Sequence, residues 1–216
     1  MVDNPYDMEY FEDGIQKHIS NYEKYRWMPE KTIPIVKAYI NWLKMNTGDT
    51  VLDFGAAKGY TVRAFRELGF NAWGCDISSY AVNNCDPKVK HFMRLCTNRK
   101  PVPFGDVKFD FIIAKDVLEH IPSTFLSLTL QSLFSVSTRK TKLFVMVPLA
   151  KYSGGPYLLD LSENDATHVI REDLEGWKRL LGHKIWNVED ASYCVPGICD
   201  KYSKAKCVGF MTLVRK

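Results

Sequence analysis

An aspartate and two glycines follow a short apolar run in the first third of the sequence, in VLDFGAAKG. Asp53, Gly55 and Gly59 form the pattern Asp-x-Gly-x-x-x-Gly. Gly55 would let the backbone approach a ligand, and Gly59 would let the following helix pack closely. A turn that cradles a pyrophosphate offers backbone N–H donors, and a carboxylate at that point would repel the phosphate. The acid therefore favours a ligand that carries an ammonium group.

A second acid ends the next apolar run. Asp76, in GCDIS, stands where a nucleotide-binding fold places the carboxylate that accepts hydrogen bonds from ribose hydroxyls. A glycine turn alone could be no more than a tight connection between a strand and a helix. The turn and the second acid together favour a bound nucleoside.

Carboxylates and imidazoles follow another strand-like run, in AKDVLEHIP. On a helix, Asp116, Glu119 and His120 would stand at i, i+3 and i+4 and would share one face. A further imidazole, His168, lies in the later segment NDATHVIRED. Two carboxylates and two imidazoles could hold Mg²⁺ or Mn²⁺. Such a metal would bind an acceptor hydroxyl and lower its pKa, so that the nucleophile forms near neutral pH.

Two other interpretations of these residues need no metal. His120 or His168 could act as a general base for an acceptor hydroxyl. The carboxylates that could orient this base are Asp116, Glu119 and Asp165. Alternatively, Asp116 caps a helix and His120 is a buried structural histidine. The remaining histidines are interpreted as non-catalytic: His18, His91 and His183.

The elements that would position these residues alternate between strands and helices, which predicts an α/β fold with a mostly parallel sheet covered on both faces. The predicted strands are TVLDFG, NAWGCD, VKHFMRLC, KFDFIIAKD, KTKLFVMVPL, KIWNVED and KCVGFMTLVRK. The last two have no obvious helix between them and predict an antiparallel pair at one edge. Ligands of such sheets bind at the carboxyl ends of the strands, where the strand order reverses. The acids described above follow strands, as this rule requires.

Residues 1–30 are rich in aromatic side chains. These are Tyr6, Tyr10, Phe11, Tyr22, Tyr25 and Trp27. The segment is interpreted either as a helix that packs its aromatic face on the core, or as a lid over a ligand with Tyr22 and Tyr25 in contact with the cofactor. Residues 31–216 are predicted to form a single domain.

Composition excludes several classes of protein. The 216 residues are 46% hydrophobic and 25% charged, as in ordinary globular proteins, and the net charge of +4 is only mildly basic. The polar, acidic start is neither a signal nor a transit peptide, and no apolar run approaches the roughly 20 residues that span a bilayer. We therefore expect a cytoplasmic protein without a membrane span. The six cysteines contain no Cys-x-x-Cys pair and are interpreted as reduced. Cys194, Cys199 and Cys207 lie close together in the sequence and could pair, but the reduced state is the favoured interpretation.

The glycine motif and Asp76 resemble those of the class I S-adenosylmethionine-dependent methyltransferases. The resemblance covers the chain from about Lys31 to its end. It implies a Rossmann-like, doubly wound sheet of about seven strands, mostly parallel with an antiparallel C-terminal strand. It also implies that Asp53 and Gly55 lie near the methionine part of the cofactor and that Ile77 packs on the adenine. The residues predicted to bind S-adenosylmethionine are Asp53, Gly55, Ala57, Gly59, Asp76, Ile77, Lys115 and Tyr25.

The complete acid-x-x-Glu-His segment resembles a narrower set, the metal-assisted O-methyltransferases. These include the small-RNA 2′-O-methyltransferases and certain ubiquinone-pathway enzymes. The predicted metal ligands are Asp116, Glu119, His120 and His168, and the predicted catalytic residues are Asp116, His120 and His168. This chain differs from the RNA enzymes in having Asp at the first acid, and it shows nothing like their parts for recognising an RNA end.

The acceptor region is predicted in residues 151–173, where Tyr152, Tyr157 and His168 could contact a hydroxylated substrate. The aromatic start and the Asp-x-Thr-His segment resemble bacterial and viral methyltransferases associated with glycan synthesis. A sugar hydroxyl, on a glycan or a deoxysugar such as rhamnose, is therefore the favoured acceptor. The alternative is an RNA ribose, for which the basic tail KYSKAKC argues weakly. A metal-free O-methyltransferase of small molecules also remains open.

The sequence disfavours two other classes of protein and one kind of methyl transfer. An oxidoreductase with a nucleotide fold is disfavoured because Asp53 stands at the glycine turn. A subunit that binds S-adenosylmethionine without catalysis is disfavoured because it would have no use for Asp116, Glu119 and His120. Methylation of amino groups on protein or DNA is disfavoured because no Asn/Asp-Pro-Pro-Tyr-like motif occurs.

Overall fold

The computed structural model describes residues 4–182, 184–201 and 206–216. These residues form one seven-stranded sheet with the order β3-β2-β1-β4-β5-β7-β6. The strands are β1 (Thr50–Phe54), β2 (Asn71–Asp76), β3 (Met93–Leu95), β4 (Phe109–Lys115), β5 (Ser137–Pro148), β6 (Trp186–Ser192) and β7 (Val208–Arg215). The helices are α1 (Met8–Glu12), α2 (Gly14–Lys17), α3 (Pro29–Leu43), α4 (Tyr60–Glu67), α5 (Ser79–Asn83), α6 (Ser123–Ser135) and α7 (Leu174–Leu181). Single 3-10 turns occur at Lys90–Phe92, Leu118–His120, Asp160–Asn164 and Cys199–Lys201.

The pairing of the strands confirms the predicted fold class. The pairs β1–β2, β1–β4, β2–β3 and β4–β5 are parallel, whereas β7 is antiparallel to both β5 and β6. Strand order reverses beside β1, which has β2 on one side and β4 on the other. The carboxyl ends of these strands therefore form the crevice in which a sheet of this kind binds its ligand.

The core lies on both faces of the sheet because neighbouring residues of a strand point to opposite sides. On β4, Ile112 packs in one apolar cluster with Trp177 of α7. The next residue, Ile113, packs in a second cluster with Tyr39 of α3 and Phe65 of α4. All five side chains are fully buried. Helices thus cover both faces, as the apolar strand sequences predict.

Some elements begin or end at other residues than the sequence suggests. The strand predicted in VKHFMRLC is reduced to three residues, because a 3-10 turn occupies Lys90–Phe92. Within the segment REDLEGWKRLLG, whose sequence predicts a helix with Arg171 and Glu172 in its first turn, α7 begins only at Leu174. Asp173 caps it by accepting a hydrogen bond from the Gly176 N–H at 2.7 Å. The segment VLEHI forms a 3-10 turn from Leu118 to His120 and not an α-helix.

Residues 4–27, called the N-terminal strap below, run over the carboxyl end of the sheet. They contain α1 and α2 and continue without regular structure to α3, so the segment NYEKYRW is not helical. An aromatic cluster joins the strap to α5 and to Ala57 of the glycine turn. Its aromatic members are Tyr6, Tyr10, Phe11, Tyr22, Tyr25 and Tyr80. The strap therefore packs on the glycine turn rather than on the far side of the sheet.

The interpretation of all six cysteines as reduced is wrong for two of them. Cys194 and Cys199 form a disulfide in the loop between β6 and β7. The chain turns back between them, where the Ile198 N–H donates to the Val195 carbonyl at 3.0 Å, and this turn brings the two sulfurs together. The remaining cysteines are free and buried: Cys75, Cys85, Cys96 and Cys207.

Among the described residues, no helix has the length and apolar character that crossing a membrane requires. His183, which is interpreted as non-catalytic, lies outside the described residues. The part of the basic tail that contains Lys204 also lies outside them.

Candidate functional site

The turn after β1 has a backbone that glycine alone adopts easily. Gly55 and Gly59 have φ angles of +81° and +77°. A Cβ atom added to Gly55 would lie 2.5 Å from a methyl group of Val117. A Cβ atom on Gly59 would lie 3.0 Å from Met93 and Val89. The first glycine thus brings the turn against the segment after β4, and the second lets α4 pack closely.

Asp76 ties the glycine turn to the start of α5. One of its carboxylate oxygens accepts a hydrogen bond from the Ala57 N–H at 2.7 Å, and the other accepts one from the Ser78 N–H at 2.8 Å. The side chain is buried, which raises its pKa, and the backbone donors act in the opposite direction. The carboxylate is therefore held rigidly at the end of β2 with lone pairs left for a ligand.

Asp53 is buried at the end of β1. Burial raises the pKa of this carboxyl to about 7, Lys115 opposes the increase, and Asp76 adds to it. A buried carboxylate with so high a pKa is stabilised by a cation that binds next to it.

A cavity of about 820 Å³ opens at the carboxyl ends of β1, β2 and β4. Of the residues predicted to bind the cofactor, four line it: Gly55, Ala57, Asp76 and Ile77. Four do not: Asp53, Gly59, Lys115 and Tyr25. Tyr25 packs behind Tyr22 in the aromatic cluster, and its carbonyl accepts a hydrogen bond from the Lys58 ammonium at 2.9 Å.

The cavity extends from the glycine turn to the second group of candidate residues. Asp116, His120 and Thr167 contribute to its wall, as do Tyr6 and Tyr10 of the N-terminal strap. The sequence did not predict Thr167 as a site residue, although it lies inside the Asp-x-Thr-His segment. A loop after β3 that includes Thr97, Asn98 and Pro101 was also missed, because nothing in its composition marks it. None of the predicted acceptor residues, Tyr152, Tyr157 and His168, lines the cavity.

Glu119, His120 and His168 form a compact group, with one carboxylate oxygen and one nitrogen of each ring within 4.8 Å of one another. The backbone explains their meeting, since the Val169 and Ile170 N–H groups donate to the Glu119 carbonyl at 2.8 and 3.0 Å. The rings of His120 and His168 lie 4.6 Å apart, measured between centroids. The sequence predicts this association, but it could not show that the loop around Thr167, 47 residues after His120, reaches the 3-10 turn.

Asp116 does not join this group. Its φ angle is +49°, so the chain leaves β4 in a left-handed turn, and the 3-10 turn starts only at Leu118. The helical spacing of i, i+3 and i+4 therefore does not apply. Asp116 is exposed, forms an ion pair with Lys115, and lines the cavity from another side.

Glu119 is fully buried, and neither of its carboxylate oxygens has a hydrogen-bond partner among the described residues. Burial, and then the charge of Asp116, raise the pKa of this carboxyl well above its usual value. Buried polar atoms without a partner are rare in proteins, because leaving them unpaired costs free energy. The carboxyl is therefore either protonated or compensated by a cation.

Hydrogen bonds define which ring nitrogen carries the proton in both histidines. The Thr167 hydroxyl lies 2.5 Å from an oxygen of Asp165, to which it donates its one hydrogen. The same hydroxyl lies 2.7 Å from Nδ1 of His120 and must accept from it. In His168, Nδ1 donates to the Ser162 carbonyl at 2.9 Å. Both rings therefore keep the lone pair on Nε2.

Both imidazoles are neutral near pH 7. Burial, followed by the neighbouring His168, lowers the pKa of His120 to about 4. Burial also lowers the pKa of His168. Neutral rings with a free Nε2 can accept a proton or bind a metal.

Residues 25–190 match the family described as a methyltransferase domain. The chain belongs to this family. It is accordingly an enzyme that transfers methyl groups from S-adenosylmethionine. Comparison with curated proteins gave no significant match.

Solved structures with the same fold share little sequence with this methyltransferase. One comes from a complex between the Haloferax volcanii Trm112 methyltransferase activator and a candidate methyltransferase. Its sequence is 15% identical, the alignment covers 87% of this chain and 91% of the other, and the TM-score is 0.64. Another is the Burkholderia thailandensis 1,6-didemethyltoxoflavin-N1-methyltransferase, solved with S-adenosylhomocysteine, with 15% identity, coverage of 87% and 79%, and a TM-score of 0.62. A third is the mitomycin 7-O-methyltransferase MmcR, with 13% identity, coverage of 87% and 53%, and a TM-score of 0.61. At these identities the likeness establishes the fold.

The residues around the cavity fit S-adenosylmethionine. The fixed carboxylate of Asp76 could accept hydrogen bonds from the ribose, and Ile77 beside it offers an apolar side chain for the adenine. Asp53 does not line the cavity, so its contact with the cofactor's ammonium group stays a prediction.

Proposed function

We propose that this methyltransferase methylates a hydroxyl group of a sugar, with His120 as the general base. One observation carries the proposal: His120, whose Nε2 keeps a free lone pair, lines the same cavity as the glycine turn and Asp76. A hydroxyl oxygen becomes acidic only as it bonds to the methyl carbon, so a neutral base placed beside it is sufficient.

His120 acts on the acceptor as the methyl group moves. S-adenosylmethionine supplies the methyl group on a positively charged sulfur. The acceptor oxygen bonds to the methyl carbon, the carbon–sulfur bond breaks, and the hydroxyl proton passes to Nε2 of His120. The ring then carries a positive charge, which the buried Asp165 stabilises through the Thr167 hydroxyl.

The charges of the residues that line the cavity favour an uncharged acceptor. In the part of the chain that the structure describes, no Lys or Arg lines the cavity, whereas the carboxylates of Asp76 and Asp116 do. A phosphodiester would be repelled there, which argues against RNA ribose as the acceptor. The rings of Tyr6, Tyr10 and Phe11 offer flat apolar surfaces for the C–H face of a sugar.

A second candidate mechanism adds a divalent metal, and the buried carboxyl of Glu119 favours it. Two neutral imidazoles and one carboxylate without a partner are a donor set that suits first-row metals. Glu119, His120 and His168 would hold the ion. A bound ion would polarise an acceptor hydroxyl and lower its pKa. Asp116, predicted as a fourth ligand, is not part of this group.

Transfer of labelled methyl from S-adenosylmethionine tests the proposal. The acceptors are rhamnosides and other glycosides, catechols and RNA oligonucleotides, each with Mn²⁺ or Mg²⁺ and again with a chelator. We expect transfer to a glycoside and a loss of about 10²-fold or more in His120→Gln. His91→Gln, which changes an exposed histidine outside the cavity, serves as the control.

Each alternative gives a different result in this assay. Loss of transfer on chelation would assign the activation of the hydroxyl to a metal. Transfer to RNA and not to glycosides would overturn the sugar acceptor. Full activity in His120→Gln would show that His120 is not the general base.

A further inference from the structure

The N-terminal strap is attached to both halves of the cavity. On the cofactor side, the Asn4 amide donates to the Ile77 carbonyl at 2.8 Å, and the Tyr80 hydroxyl donates to Glu12 at 2.9 Å. On the acceptor side, the Asn21 amide donates to the Leu161 carbonyl at 3.0 Å. One further contact on this side, from Tyr10, reaches the hydrogen bonds of the general base.

A continuous chain of hydrogen bonds runs from the strap to His120. The Tyr10 hydroxyl donates to Oδ2 of Asp165 at 2.7 Å. The other oxygen of Asp165 accepts from the Thr167 hydroxyl at 2.5 Å and from the Thr167 N–H at 3.0 Å. The Thr167 hydroxyl accepts from Nδ1 of His120 at 2.7 Å. Every hydrogen bond in this series has a fixed donor and a fixed acceptor, so only one tautomer of His120 fits the arrangement.

We propose that Tyr10, Asp165 and Thr167 are positioning residues that keep the His120 proton on Nδ1, so that the base is complete only when the strap is docked over the cavity. The inference rests on the proposed role of His120 as the general base. It means that the strap, besides covering the ligand, helps to hold the general base in the correct tautomer.

Burial makes the contact with Tyr10 important. Asp165 and Tyr10 are 5% and 4% exposed, so water cannot readily replace either partner. Nε2 of His168 cannot replace Tyr10 as a donor to this carboxylate oxygen. It lies 4.0 Å away, too far for a hydrogen bond, and it carries no proton, because the proton of this ring is on Nδ1. Without Tyr10, Oδ2 of Asp165 loses its donor, and Asp165 loses its hydrogen bond to the strap.

Two substitutions of Thr167 separate positioning from packing. Thr167→Val keeps the shape and removes the hydroxyl, whereas Thr167→Ser keeps the hydroxyl. We expect Thr167→Val to lower kcat by about 10²-fold, within the range of general-base catalysis, with an unchanged affinity for S-adenosylhomocysteine. Thr167→Ser should retain most of the wild-type kcat. Equal losses in both variants would overturn the proposal.

Nitrogen-15 NMR spectra of the imidazoles report the tautomer without any acceptor. Wild type and Thr167→Ser should show His120 protonated on Nδ1, and Thr167→Val should show a large share protonated on Nε2. An unchanged tautomer in Thr167→Val would overturn the proposal even if methyl transfer by His120 is confirmed. Full activity in His120→Gln would instead remove the proposed base, and the spectra would still decide whether these residues position the ring.

A matched pair of tyrosines tests the link to the strap. Tyr10→Phe and Tyr80→Phe each remove one hydroxyl that holds the strap, but Tyr10 alone contacts Asp165. We expect Tyr10→Phe to lower kcat by about tenfold, because it removes a hydrogen bond to the carboxylate that holds Thr167. Tyr80→Phe should change kcat less than twofold, because its hydroxyl lies outside this chain of hydrogen bonds. Equal effects on kcat would mean that the strap acts by covering the cavity alone, and would overturn the link.

Discussion

The ring nitrogen Nε2 of His168 lies 4.0 Å from a carboxylate oxygen of Glu119, too far for a hydrogen bond, although both side chains are buried. The carboxyl therefore stands next to a neutral imidazole without bonding to it. In the absence of a cation, the carboxyl retains its proton far above its usual pKa. This unsatisfied pair leads to predictions for stability and for metal binding.

Glu119→Gln should stabilise the metal-free protein at pH 8 and leave its stability unchanged near pH 4. The folded-state pKa is raised, so the unfolded chain releases the proton at lower pH than the folded one. The stability of the wild type is complete below the ordinary pKa of Glu and is lost as pH rises towards the folded value. Thermal unfolding from pH 4 to 8 with a chelator measures the difference. Parallel curves for both proteins would contradict it.

Mn²⁺ or Zn²⁺ should raise the melting temperature of the wild type if the second candidate mechanism holds. His168→Ala and Glu119→Gln should abolish the increase, because each removes a donor from the group. Asp116→Asn is the control, and it should retain the increase because Asp116 lies outside the group. Calorimetric titration gives the affinity. A metal effect that depends on Asp116 would restore the ligand set predicted from the sequence.

Binding of S-adenosylhomocysteine should tighten about tenfold between pH 6 and pH 8. Asp53 has a pKa of about 7, and an ammonium group binds its ionised form, so binding releases a proton below this pH and none well above it. Titration calorimetry in buffers of different ionisation enthalpy measures the proton. Asp53→Asn should bind more weakly, with no dependence on pH in this range. A flat profile in the wild type would place Asp53 away from the ammonium group.

Gly55→Ala should destabilise the protein more than Gly105→Ala. Both glycines have positive φ angles, and forcing alanine into that region costs about 1–2 kcal/mol. Gly105 has open space around it, whereas a Cβ on Gly55 would lie 2.5 Å from Val117. The difference between the two variants in urea unfolding isolates this clash. Equal destabilisation would show that Val117 moves aside at no cost.

Much of the fold could be predicted because local patterns determine it. Apolar runs that end at acids or glycines predicted the strands. The two acids at the ends of β1 and β2 were found because their spacing matches strand ends. The Cys194–Cys199 disulfide was only the less favoured interpretation, since sequence alone does not report the path of a loop.

The candidate site was predicted less completely because it depends on contacts between distant parts of the chain. Tyr10 and Asp165 are 155 positions apart, and no periodicity connects them. The grouping of Asp116 with Glu119 assumed a helix, but a positive φ at Asp116 turns the chain before the 3-10 turn begins. A left-handed residue other than glycine leaves little trace in a sequence.

The position of β7 has a consequence for how the chain reaches its native state. β7 follows β6 in sequence, yet it lies between β5 and β6 and forms the hydrogen-bonded ladders on both sides. As the protein emerges from the ribosome, β5 and β6 are therefore made before the strand that joins them. Until Val208–Arg215 inserts, two strand edges stay open to pairing with other chains. Completion of the sheet must then follow synthesis of this strand, and the newly made protein passes through a stage that is prone to aggregation.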